Sequence, residues 1–121
     1  MYHGSVWVIL TFLALLLPSS SRVQRFSDMY ECHIIVDVEV AKADSDEFEQ
    51  IDCDDFMAAV RCAKKVGVAF NTDVVAHLMD DEGIRYRMNI SKSRLYVAVG
   101  SDVFRLRAAD RRRMQHMLTG F

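Results

Sequence analysis

Residues 30–41 read Tyr-Glu-Cys-His-Ile-Ile-Val-Asp-Val-Glu-Val-Ala, and apolar and polar positions alternate along them. Tyr30, Cys32, Ile34, Val36, Val38 and Val40 share one side. Glu31, His33, Asp37 and Glu39 share the other, where Ile35 is the large apolar exception. A period of two predicts a strand with one buried and one wet face.

The next periodic segment has a different spacing. Phe56, Val60 and Ala63 recur at helical intervals, with Met57 and Ala59 beside them. Asp52, Asp54 and Asp55 precede this stripe, as suits an N-cap and the positive end of a helix dipole. Lys64 and Lys65 fall in the last turn before Gly67, so a helix is expected over 54–66. A shorter helix is expected over 72–79, capped by Asn71 or Thr72 and burying Val74, Val75, Leu78 and Met79. Asp80, Asp81 and Glu82 oppose its dipole and Gly83 ends it.

Alternation then returns. Ile84, Tyr86, Met88 and Ile90 interleave with Arg85, Arg87 and Asn89, and Leu95, Val97 and Val99 share one face of 94–99. Ser91-Lys92-Ser93 and Gly100-Ser101-Asp102 read as hairpin turns. Residues 103–107 fit a third short strand. A helix from Ser101 is the competing reading, but it would place Arg107, Asp110 and Arg111 within the apolar stripe of Val103, Phe104, Met114 and Met117. A helix over 108–118 closes the pattern. The expected fold is α+β: an antiparallel sheet of about four strands (30–41, 84–90, 94–99, 103–107), covered on one face by two or three helices.

Composition changes this picture at the N-terminus. Of 121 residues, 51% are hydrophobic, but Val6 to Leu17 is an uncharged run followed by Pro18 and Ser19-Ser20-Ser21. An apolar core ahead of small residues is the pattern of a secretory signal peptide, and the run is shorter than the roughly 20 residues a membrane span needs. Residues 1–21 are therefore expected to be cleaved and 22–121 to form a single small secreted domain with no stable membrane span. Arg22-Val-Gln-Arg25 also fits a minimal furin-type site.

Export directs attention to the cysteines. Cys32, Cys53 and Cys62 allow one disulfide and a spare thiol. Nine residues of continuous helix rise about 13.5 Å, too far for Cys53 to reach Cys62. Cys32–Cys53 is the expected pair, closing a loop worth on the order of 3 kcal/mol. Cys62 is then free or intermolecular, which allows a disulfide-linked dimer. Asn89-Ile90-Ser91 is an N-glycosylation sequon.

The formal net charge of −2 hides a polarity. Residues 28–55 hold eleven acids against one Lys, whereas 84–121 hold nine bases against two Asp. The simpler reading is that the two halves pack together and offset each other. The sharper one is a patch that meets an oppositely charged partner. Arg111-Arg112-Arg113, with His116 one turn on, is the most pointed cluster and resembles the basic clusters that bind heparin-like polysaccharide. Nucleic acid is a poorer partner for an acidic exported chain.

Catalytic and metal chemistry find less support. The acidic run 44–55 fails the EF-hand test: Phe48 stands at the third ligand position, and Glu49 where Gly makes the sharp turn. No Cys-x-x-Cys or His-x-x-x-His spacing is present, and no metal or other cofactor is expected. No nucleophile motif appears. The Cys-x8-Cys spacing lacks the other cysteines of insect odorant-binding proteins, and the Gln-x-Val-x-Gly loop of cystatins is missing. The expected function is a small secreted, non-catalytic binding protein whose partner is an extracellular protein or polysaccharide. The enzyme alternative is a small hydrolase using His33 with nearby carboxylates.

Overall fold

The computed structural model describes residues 23–30 and 34–121. The expected leader 1–21, together with Glu31, Cys32 and His33, lies outside them. The described chain runs α1 (Phe26–Tyr30), β1 (Ile35–Lys42), β2 (Glu49–Ile51), α2 (Cys53–Val60), β3 (Lys64–Val66), β4 (Thr72–Asp80), β5 (Arg85–Ser91), β6 (Tyr96–Val99), β7 (Asp102–Arg105) and α3 (Ala108–Met117). The seven strands form one sheet in the order β2-β1-β4-β5-β6-β7-β3, with every neighbouring pair antiparallel.

This corrects the expected architecture. The protein is mostly sheet, with seven strands rather than about four, and its helices do not form a cover over one face. The largest change is at 72–79, which is strand β4 and not a helix. It lies between β1 and β5, pairing Val38 with Leu78 on one side and Leu78 with Tyr86 on the other. Val74, Ala76 and Leu78 enter the core, while Val75 on the opposite face is also buried. A strand buried on both faces has no clean alternation, so its apolar residues also fit a helical stripe.

The helix expected over 54–66 stops at Val60. Its start is as the sequence implies: Asp52 Oδ1 accepts the Asp55 backbone N–H at 2.9 Å. Beyond Arg61 the chain turns, and Lys64–Val66 pairs with Arg105–Val103. Those three residues satisfy backbone groups along the outer side of β7, which a longer helix would leave unpaired. Arg25 bridges to Lys64 on the far side, and Lys65 N–H donates to Gln24 O at 2.7 Å.

The strand expected over 30–41 begins only at Ile35, and residues 26–30 are helical. The register shifts between Ile35 and Asp37, so Val36 is an extra residue relative to β4. Such a bulge exchanges the two faces. Ile35 therefore packs against the same core as Val38 and Val40, while Ile34 and Val36 are 63% and 52% exposed.

The meander from β5 to β7 and the last helix follow the sequence pattern closely. Val99 pairs with Asp102 across Gly100-Ser101, and Gly100 takes φ +59°, a conformation that glycine adopts without a Cβ penalty. One core unites the elements: Phe56 and Val60 from α2, Met114 from α3, Phe26 from α1, and Val40, Met88, Ile90, Val97 and Phe104 from the sheet.

Candidate functional site: a cationic cleft at the β3 edge

The pairing of β3 with β7 sets Lys64 directly across from Arg105, and Tyr96 lies across from Arg105 on the other side. Like charges placed opposite each other on neighbouring strands cost a few tenths to about 1 kcal/mol. The chain leaves β7 through Leu106 and turns at Arg107 into α3, which brings the first turns of the helix beside the same edge. The result is an open cleft of about 720 Å³. Lys64, Arg105, Arg107, Arg111 and Arg112 line it with Gln115, over apolar ground from Val66, Leu95 and Leu106. Among the described residues, no carboxylate lines it.

The five cations differ in how they are held. Arg107 Nε donates to Asp110 Oδ2 at 2.7 Å. That bond, followed by the Asp110 charge, pushes the Arg107 guanidinium above its ordinary range. Asp110 is only 2% exposed, so it offsets charge from beneath the cleft and not within it. Arg111 Nε and Gln115 Nε2 both donate to the Ser93 carbonyl at 3.3 Å, tying α3 to the β5–β6 turn. Lys64, Arg105 and Arg112 are exposed and make no ion pair among the described residues. Helix α3 starts at Arg107 without a side-chain cap, so its dipole adds partial positive charge at the same place.

Of the expected basic patch, Arg111 and Arg112 line the cleft, while Arg113 and His116 do not. The residues that sequence reasoning missed are Lys64, Arg105 and Arg107. The sequence pattern puts Lys64 in the last turn of a helix, whereas the fold puts it on β3. The shared parity of Arg105 and Arg107 was the available signal. The two charged halves share one core, with Phe56 and Val60 beside Met114, but among the described residues no ion pair joins an acid of 28–55 to a base of 84–121.

A second cleft, of about 680 Å³, is lined by Phe26, Tyr30, Ile34 and Met57 among others. Its charges are one Asp54 and one Arg61, so it has no preference of sign comparable to the first.

The enzyme alternative rests on His33 and the carboxylates near it in sequence. His33 and Glu31 lie outside the described residues. Asp37 accepts Gln50 Nε2 at 3.1 and 3.2 Å. Glu39 Oε1 sits 3.4 Å from His77 Nδ1, with Phe48 stacked on the imidazole at 4.2 Å between ring centres. His77, which falls within the helix expected over 72–79, is on strand β4 and part of a sheet-face cluster. Among the described residues, no group of three or more His, Cys, Asp or Glu could hold a metal ion, and no helix is long and apolar enough to cross a membrane.

Cys53 and Cys62 are free thiols in this structure, and Cys32 lies outside the described residues. Cys53 Sγ donates to Ile35 O at 3.3 Å. Burial first, then the charges of Asp54, Asp37 and Asp52, push its thiol upward. Asn89 is half-buried in the middle of β5, between Val75 and Ala98, and its Oδ1 accepts Arg87 Nε at 3.3 Å. Comparison with protein-family models, curated proteins and solved structures finds no match to this chain.

Proposed function

We propose that the protein is a small secreted binding protein, without catalysis, that takes an anionic polysaccharide in the cleft between β3, β7 and α3. The observation that carries this reading is the convergence of five cations, Lys64 from β3 and four from the 105–112 stretch, on one open surface with no carboxylate among its described lining residues. Guanidinium groups pair well with sulfate and carboxylate oxygens. An open cleft suits a chain that passes through it better than a small molecule that must be enclosed.

Heparin chromatography tests the assignment. A Lys64/Arg105/Arg112→Ala variant removes the three cations that make no ion pair. At the upper end for exposed ionic contacts, about 1 kcal/mol each, their loss weakens binding on the order of a hundredfold. The variant is expected to elute at clearly lower salt than wild type. An Arg113/His116→Ala variant, which leaves the cleft lining intact, is expected to elute with wild type. Equal shifts for both variants would remove the cleft from the reading and leave only net charge.

Export belongs to the same proposal. Cleavage after Ser21, glycan at Asn89 and a Cys32–Cys53 disulfide make up the expected secreted form. Cys32 is three positions before Ile35, whose carbonyl accepts from Cys53 Sγ, so the chain between Cys32 and Ile35 spans at most about 11 Å. Mass spectrometry of protein from a eukaryotic secretory host, mapped without reduction, checks all three. An intact Met1, an unmodified Asn89 or an unpaired Cys53 would each refute its own part.

A further inference from the structure

The acids that face the cleft's chemistry are on the chain itself. Asp44, Asp46 and Glu47 occupy the β1–β2 connection, and Glu49 opens β2. All four are exposed, and none makes an ion pair among the described residues. Strand β2 is one edge of the sheet, and the cleft lies along β3 at the other, with five strands between them. A molecule that carries uncompensated acid on one edge and uncompensated base on the other is complementary to a copy of itself.

We infer that the acidic segment 44–49 of one molecule docks in the cationic cleft of a second copy, against Lys64, Arg105 and Arg112. The inference rests on the same anion-binding reading of the cleft, with polysaccharide as a competing occupant. The two surfaces are different patches, so the contact is head-to-tail. Such contacts propagate into open chains unless the rotation between copies closes a ring. Lys42 is the base nearest in sequence to the acidic segment, and like charges packed along 44–49 repel one another unless bases are brought to them. Exposed charges dominate the contact, and salt screens them: the Debye length is about 10 Å at 0.1 M and about 3 Å at 1 M.

Sedimentation velocity of the secreted full-length product is the test. Wild type is expected to show a mass that grows with protein concentration at roughly 50 mM salt and returns to monomer at roughly 500 mM. An Asp44/Asp46/Glu47/Glu49→Asn/Asn/Gln/Gln variant keeps the cleft and loses the acidic segment. An Arg105/Arg112→Glu variant keeps the acidic segment and loses the cleft. Each alone is expected to be monomeric at low salt, with circular dichroism matching wild type. An equimolar mixture is expected to form a dimer and nothing larger, because only one competent surface of each kind remains per pair. Heparin fragments are expected to dissociate the wild-type assemblies. A wild type that stays monomeric at low salt, variants that still associate alone, or a mixture that stays monomeric would each overturn the inference. The heparin arm separates the two readings. Wild type retained on heparin but monomeric in solution refutes self-docking alone. Salt-sensitive association without heparin retention refutes the polysaccharide reading alone.

Discussion

Phe104→Ala is expected to lower folding stability by about 3–5 kcal/mol, the range for deleting a fully buried phenyl ring. Phe104 is fully buried on β7, in register with Val97 of β6 and Lys65 of β3. Its ring meets Phe26 edge-on at 5.3 Å and Tyr30 at 6.3 Å, while Phe26 stacks on Tyr30 at 4.7 Å. The ring therefore fastens α1 to the sheet, and its loss leaves a cavity where both pack. Aromatic pairs of this kind add about 0.5–1.5 kcal/mol beyond the area they bury. Phe104→Leu fills most of the volume without those pairs, so about 1–2 kcal/mol is expected for it. A domain of this size has about 5–15 kcal/mol in all, so the alanine variant loses a large share and its midpoint falls by about 12 °C or more. Urea titration followed by circular dichroism measures both variants. An alanine variant within about 1 kcal/mol of wild type would show that α1 does not depend on this ring.

The parts of the fold legible in the sequence are those whose signals are local and agree. In β5, β6 and β7 the alternation of Met88, Ile90, Val97 and Phe104 is bounded by Ser91–Ser93 and Gly100-Ser101, and the structure keeps both turns. The last helix is legible because Met114 and Leu118 are one turn apart, and both are buried. At 72–79 the local signal is ambiguous. Val74, Val75, Leu78 and Met79 satisfy a helical wheel, and only pairing with β1 and β5 on both sides selects the strand. The Val36 bulge shows a different limit: one extra residue exchanges the faces, and the alternation of 30–41 contains nothing to mark it.

Site legibility follows the same division. Arg111 and Arg112 stood out as a run, but a run on a helix does not show which members converge with other elements. Lys64 reaches the cleft only because 64–66 pairs with 103–105, about forty positions away in sequence. Long-range pairing of a three-residue strand is invisible to periodicity, since three residues cannot distinguish a period of two from one of 3.6. The charge asymmetry between 28–55 and 84–121 was legible from composition. That the acids of 44–49 and the cations of the cleft lie at opposite edges of one sheet required the strand order.

Asp80→Ala is expected to cost about 2–4 kcal/mol, because this carboxylate shapes the turn between β4 and β5, which pair along most of their length. Asp80 is 3% exposed at the end of β4. Its Oδ1 accepts the backbone N–H groups of Glu82 at 3.0 Å and Ile84 at 2.9 Å, and its Oδ2 accepts the Tyr86 hydroxyl at 3.3 Å. The backbone closes the same turn: Asp80 N–H donates to Ile84 O at 3.0 Å, and Gly83 N–H donates to Asp80 O at 3.1 Å with φ +83°. Sequence reading used Asp80 to stop a helix by opposing its dipole; the fold uses it to reverse a strand. Alanine removes the carboxylate that accepts from the Glu82 and Ile84 backbone N–H groups and from the Tyr86 hydroxyl. Asparagine keeps Oδ1 for both backbone donors and presents Nδ2 to a hydroxyl that can accept, so Asp80→Asn is expected to cost about 1 kcal/mol. Exchange of the Glu82 and Ile84 amide hydrogens should accelerate in the alanine variant and stay near wild type in the asparagine one. Equal destabilisation by the two substitutions would mean that the negative charge, rather than the acceptor geometry, is what this turn requires.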